Sequence, residues 1–326
     1  MSAKKIWGMN GIAMALVVLA LSNWTGLAQA QDGNDLEQLL EDMSGAYAEG
    51  YLAPLVTGFG INQNSALYHT AFIPGTTVTI SLGLKVMGTK LSDEDQTFRV
   101  VRNITINEDY GVNPGEEGYG EDGVVVMSGP TVFGSEDEGG RMTVLYHGLP
   151  VHVEDLSDLT GLVESKFVPL AMPQASVGGI MGMEATLRWL PDIEIQSGVK
   201  VKLWGIGLAA SANYWLPTLP VDVKVGFFNQ SLDVGDYVAT DARSLYVVAS
   251  KEFSMLTAYG GLSRESSSMD VTYTYSGTGE EIAFSLDGVQ ENRMTIGATL
   301  NLGLKINGEI GLGDLTSFSG GLMFGF

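Results

Sequence analysis

Few residues of this chain have types and spacings that could do chemistry. His147 and His152 in "HGLPVH" lie five apart across Pro150, so they read as loop histidines rather than a metal pair, and His69 sits in no convincing strand. No serine and histidine can be singled out as the aligned pair that a barrel phospholipase needs on its outer wall, so no catalytic residue is assigned. In "VKVKLWGIGLAAS", Gly205 and Gly207 follow a strand and precede Asp222, which imitates a dinucleotide fingerprint. The helix that should receive the pyrophosphate is missing, because "NYWLPTLP" brings Pro217, Pro220 and a new strand. The glycines therefore read as a strand bend or bulge, where apolar parity changes between Leu203 and Trp204, and no cofactor is expected. The acidic stretches "EDYGVNPGEEGYGEDG" and "SEDEGG" lack the fixed spacing of a calcium loop, so no metal is assigned. They read as solvated loops, with casual divalent-ion binding or adaptation to salt as the alternative.

The elements that must carry these residues are strands. Thr76–Met87 alternates Val78, Ile80, Leu82, Leu84 and Val86 with small or polar residues, and Arg293–Leu312 continues the same dyad. Shorter copies are "MEATLRW", "VDVKVGF", "LYVVASK" and "MDVTYTY", punctuated by many of the 43 glycines and by turn pairs such as Ser276-Gly277 and Asp287-Gly288. At the other end, Met1–Ala30 joins two lysines, an apolar run from Gly11 to Leu21 and an A-x-A site at Ala28 and Ala30. That is the pattern of a secretory signal peptide, with Gln31 as the expected first mature residue. Repeated dyads of about ten residues behind a signal peptide predict an all-β fold, a transmembrane antiparallel β-barrel of roughly twelve to fourteen strands in a meander.

The formal net charge is −21, which leaves no basic surface for phosphate and excludes nucleic acid as a partner. Fifteen Asp and Glu against three Arg lie between Asp93 and Asp158, and six acids against no base lie between Gln31 and Gly50. The first region predicts an acidic, loop-rich excursion at about 89–163 holding a small hairpin of "GVVVMS" against "MTVLYH". In the second, Leu36, Leu39, Leu40, Met43 and Tyr47 fall at helical spacing behind a capping-box-like Asn34 and Glu37. Residues 31–50 are therefore expected to form a short N-terminal amphipathic helix at the barrel mouth, a candidate plug, with the barrel occupying 51–326.

The chain ends on "SFSGGLMFGF", with Phe318, Leu322, Phe324 and Phe326 on one parity. A three-residue loop Asn301–Gly303 would set Leu300 opposite Leu304; a turn at Gly313–Leu315 would set Ile310 opposite Phe318 and Leu304 opposite Phe324. Leu304, Ile306, Ile310, Leu322, Phe324 and Phe326 then face lipid, while Lys85, Glu184, Arg188, Asp222, Lys224, Arg293, Lys305 and Glu309 face the lumen. The aromatic terminus resembles the signal by which bacterial barrel-insertion machinery recognises its clients, which points to the bacterial outer membrane. Outer-membrane lipid and that machinery are the expected partners, together with a small solute of unknown identity.

"SALYHTA", "MPQASVGGIMGMEATLRWLP" and "KLWGIGLAASANYWLPTLPVDVKVG" resemble a family of uncharacterised bacterial outer-membrane β-barrel proteins, a domain-of-unknown-function family, over about Tyr51–Phe326. Members often carry a histidine and a polar residue where this chain has Ala209 and Ala210, so no role of those side chains transfers. By size the barrel is more distantly similar to the long-chain fatty-acid transporter group, whose barrels hold an N-terminal plug. The resemblance implies export and a barrel but supplies no reaction or ligand. The expected function is a pore or passive transporter for small or amphipathic solutes; the alternatives are a structural or adhesive barrel and a soluble exported β-sandwich binding protein.

Overall fold

The computed structural model describes residues 45–157, 159–195, 199–235, 237–275 and 280–325. The expected leader, the helix positions Leu36, Leu39, Leu40 and Met43, and Phe326 lie outside these. In chain order the elements are helix α1 (Gly45–Gln63), β1 (Thr79–Lys90), β2 (Thr97–Thr105), β3 (Asp122–Pro130), β4 (Gly140–Tyr146), β5 (Leu149–Leu156), β6 (Phe167–Ile180) and β7 (Met183–Ile195). They continue with β8 (Val199–Ser211), the one-turn helix α2 (Ala212–Trp215), β9 (Asp222–Val234), β10 (Val238–Phe253), β11 (Leu256–Tyr275), β12 (Glu280–Asp287), β13 (Asn292–Asn301), β14 (Leu304–Leu312) and β15 (Thr316–Gly325).

Ten strands, β1, β6 to β11 and β13 to β15, pair antiparallel in sequence order, and β15 returns to β1 to close the barrel. The expected twelve to fourteen strands are thus corrected to ten, with one extra strand. The surplus dyads lie elsewhere: β2 to β5 pair only among themselves, and β12 pairs with Ser268–Tyr275, the far half of β11, beyond the wall strand β13. Any half-buried sheet alternates, so dyads alone cannot tell wall from excursion. The expected hairpin is present as β3 against β4, with Val126 opposite Thr143, and β2 and β5 extend it to a four-stranded sheet.

The two mouths differ. At the lower mouth, where β1 starts and β15 ends, two-residue turns at 181–182, 254–255 and 302–303 join strands, with a longer 212–221 loop carrying α2. From the upper mouth rises the 91–166 excursion with its sheet. Met181 and Ser254 take positive φ, as tight hairpin turns require.

Register repeats the sequence parity with one change. Ile310 pairs with Phe318, Ile306 with Leu322 and Leu304 with Phe324, as the spacing predicts. Across β13 and β14, however, Leu300 pairs with Ile306 and Ile296 with Ile310, because the three residues between the last pair, Asn301 and Lys305, are 302–304, the expected loop moved one position along the chain with left-handed Gly303 at its centre. A shift of two residues between partners keeps every side chain on its face.

Sidedness reverses along the strands. Near the lower mouth the outer wall is apolar, with Trp204, Ile206 and Leu208 on β8, Leu245 and Val247 on β10, and Leu262 on β11 all exposed. Toward the upper mouth the outward positions become Lys200, Lys202, Asp241, Arg243, Arg264 and Asp270, and the inward ones become Leu203, Leu232, Val238, Met269 and Val271. The parity change at Leu203 and Trp204 therefore needs no bulge in β8, whose inside–outside alternation is continuous. The register shift lies across from it, in β7 between Leu190 and Ile193 around Pro191.

Apolar side chains inside the upper half merge with α1 and the inner face of the sheet into one core that includes Tyr51, Leu55, Val125, Met142 and Val144. Helix α1 takes in the described end of the expected helix 31–50, residues 45–50 with Tyr47, and runs on to Gln63; residues 31–44 of that expectation lie outside the described residues. The first wall strand, starting at Thr79, lies on the Thr76–Met87 dyad, so the expected barrel segment 51–326 opens with residues that are not wall. Residues 58–71 are inside the barrel because their contacts come from walls on opposite sides.

Candidate functional site: the occupied lumen

Helix α1 descends from the sheet into the lumen. Its upper end packs Tyr47 edge-on to Phe98, with ring centroids 4.7 Å apart, and Tyr47 and Tyr51 donate hydroxyl hydrogen bonds to the carbonyls of Leu159 (3.3 Å) and Thr160 (3.1 Å). Burial pushes the Tyr47 hydroxyl up to about 12 and Tyr51 higher still, so both remain donors through the physiological range. Midway, Pro54 has no N–H to give the Gly50 carbonyl, and below it the helix bears on the wall through small residues. A Cβ at Gly60 would overlap the Ser267 hydroxyl of β11, and one at Gly58 would overlap Val168 of β6.

A helix ends on carbonyls without intrahelical partners and on the negative end of its dipole. Here two arginines from opposite walls meet that end. Arg188 of β7 donates to the carbonyls of Gln63 (2.9 Å) and Ser65 (2.7 Å) and to the side chains of Gln174 (3.0 Å) and Gln230 (3.3 Å), its guanidinium 5.1 Å from the Phe228 ring centre. Arg293 of β13 donates to the carbonyls of Ile61 (3.2 Å) and Asn64 and to the Ser65 hydroxyl (2.6 Å), and pairs with Glu265 at 2.7 Å. Ala66 then turns the chain at φ 57° and donates its N–H to Glu309 at 2.8 Å; the same carboxylate accepts from Tyr259 (3.0 Å) and Ser319 (2.9 Å).

The segment continues down the lumen. Tyr68 packs between Tyr246 and Tyr259, Thr299 donates to the His69 carbonyl at 2.6 Å, and the Ala71 N–H donates to Ser250 at 2.9 Å. At the lower mouth the Met181 N–H donates to the Gly75 carbonyl at 3.0 Å.

Of the residues expected in the lumen, Lys85, Arg188, Lys224, Arg293 and Glu309 are buried, and Glu184, Asp222 and Lys305 are partly so. The structure joins Lys224 to Glu184 at 3.0 Å and Lys85 to Asn307 at 2.9 Å. Of those expected on the outside, Ile306, Ile310, Leu322 and Phe324 are exposed and Leu304 is half-buried. Glu265, Gln174 and Gln230, all part of the arrangement, carry no sequence signal beyond inward parity, and Ser65, just past the end of α1, carries none. His147 lies in the β4–β5 turn and His152 on β5, and among the described residues no three His, Asp or Glu are grouped to hold a metal ion.

Residues 5–326 match a family described as Family of unknown function (DUF6588). The chain belongs to that family. No curated protein matches this DUF6588 chain. Solved structures similar to it include in-vitro folded OmpT, an outer membrane protein of Vibrio cholerae, in its trimer form: 12% identity, 77% of this chain and 100% of that chain covered, TM-score 0.27. The β domain of the Bordetella autotransporter BrkA is 10% identical, covering 77% and 100%, with TM-score 0.31. The Ralstonia pickettii toluene transporter TbuX is 11% identical, covering 86% and 98%, with TM-score 0.28. Likeness at this level says nothing of what the DUF6588 chain does.

Proposed function

We propose that this protein is a bacterial outer-membrane barrel that stands closed and holds a folded, acidic sheet on the cell's outer face. The filled lumen carries this proposal: α1 and residues 64–75 occupy the passage, bonded by main chain to opposite walls. The exposed apolar wall of the lower half suits acyl chains, because only a closed sheet satisfies its backbone in hydrocarbon. Two-residue turns suit the periplasmic end and the long excursion the outer end, which supports this orientation.

Planar-bilayer recording tests the closed state. The full mature chain is expected to give no steady conductance, and a stable open channel would refute the proposal. A second function, gated passage of small amphipathic solutes, is favoured by the polar layer around the helix end. There Gln63 Oε1, Asn64 Oδ1, Gln230 Nε2, Ser244 Oγ and Arg293 Nε are buried without a hydrogen-bond partner, and they would face a polar path if α1 withdrew. Conductance that is absent from the wild type and appears in Arg188→Ala would favour gating.

A further inference from the structure

We infer that the barrel carries its own amino-terminal end across the membrane: the chain enters the lumen at the upper mouth and leaves it at the lower one, so whatever precedes Gly45 is presented on the cell surface. The inference rests on the orientation proposed above and goes beyond it.

Three levels fix the path. At the top, Tyr47 is bonded to Leu159 and packed on Phe98, both in the excursion. At mid-height the end of α1 is held by Arg188 and Arg293. At the bottom, Gly75 is bonded to the lower turn at Met181, and the wall starts four residues later at Thr79. A helix of 19 residues spans about 28 Å, and the extended run below it covers the remaining depth. The path is built rather than incidental. The upper part of α1 is an integral piece of the excursion's core, with Tyr47, Tyr51 and Leu52 fully buried there, so the helix cannot be drawn to the periplasmic side without opening that core.

The natural chain has no cysteine, so single-cysteine variants report sidedness without background. Asn34→Cys, Glu116→Cys in the excursion and Ser254→Cys in a lower turn are each made in the full chain. Cells are treated with a membrane-impermeant maleimide before and after the outer membrane is permeabilised. Asn34→Cys and Glu116→Cys are expected to label on intact cells, at least tenfold above Ser254→Cys, which labels only after permeabilisation. Glu116→Cys labelling on intact cells while Asn34→Cys labels only after permeabilisation or denaturation overturns the inference and leaves the orientation standing. Protein found outside the membrane fraction, or intact-cell labelling of Ser254→Cys without Glu116→Cys, overturns the orientation and the inference with it.

Discussion

Arg188 and Arg293 do the same task with unequal support. Among the described residues Arg188 has no carboxylate within ion-pair distance; its charge is met by carbonyls, by two glutamine side chains and by the Phe228 face. Replacing it with alanine strips the Gln63 and Ser65 carbonyls of their donors in a buried site, a loss of about 2–3 kcal/mol. Arg293 also neutralises Glu265, so Arg293→Ala leaves an unpaired buried carboxylate and is expected to cost about 3–5 kcal/mol. Urea midpoints of the folded barrel should therefore fall in the order wild type, Arg188→Ala, Arg293→Ala, and adding Glu265→Gln to Arg293→Ala should recover part of the second loss. The sequence told that both arginines share the inward parity, because strand alternation encodes direction. It could not tell what they bind: their partners are main-chain carbonyls, which any residue supplies.

Among the elements, α1 was the least legible. "GAYAEGYLAPLVTGFGINQ" has no polar stripe, because the helix is surrounded by core above and by wall below, and amphipathic spacing marks only helices with a wet side. Glycines, poor helix formers, are there for close approach. Gly60→Ala is expected to push α1 off β11 and destabilise the protein by about 1–3 kcal/mol. Ser267→Gly should restore most of that loss, and a double-mutant cycle on urea midpoints measures the coupling. The hairpins of the last three strands were nearly all legible, since a one-residue slip would have turned their apolar residues inward. The two-residue shift in β13 against β14 was not, since it leaves every face unchanged and depends only on left-handed Gly303.

At the scale of the molecule, the barrel is two environments stacked end to end, and the level of reversal predicts how deep it sits. Nitroxides at Trp204, Leu245 and Leu262 should report lipid by oxygen accessibility, and those at Lys202, Arg243 and Arg264, within a few residues on the same outer strand faces, should report water. Lipid-like signals at the second set would place the membrane higher than the wall's chemistry indicates. Ten strands instead of twelve or more follow from the same division, because dyads built for a water-facing sheet and for a lipid-facing wall look alike in sequence. The seam between β1 and β15 has one further consequence. Among the described residues β15 is the strand that joins the two ends of the wall, so α1 must already lie in place when it docks; the lumen of a finished ring is too full to be threaded afterwards. Closure is thus an ordered event, with the final strand acting as a bolt, and a chain cut before Thr316 should accumulate as an open, protease-sensitive sheet however stable its other hairpins are.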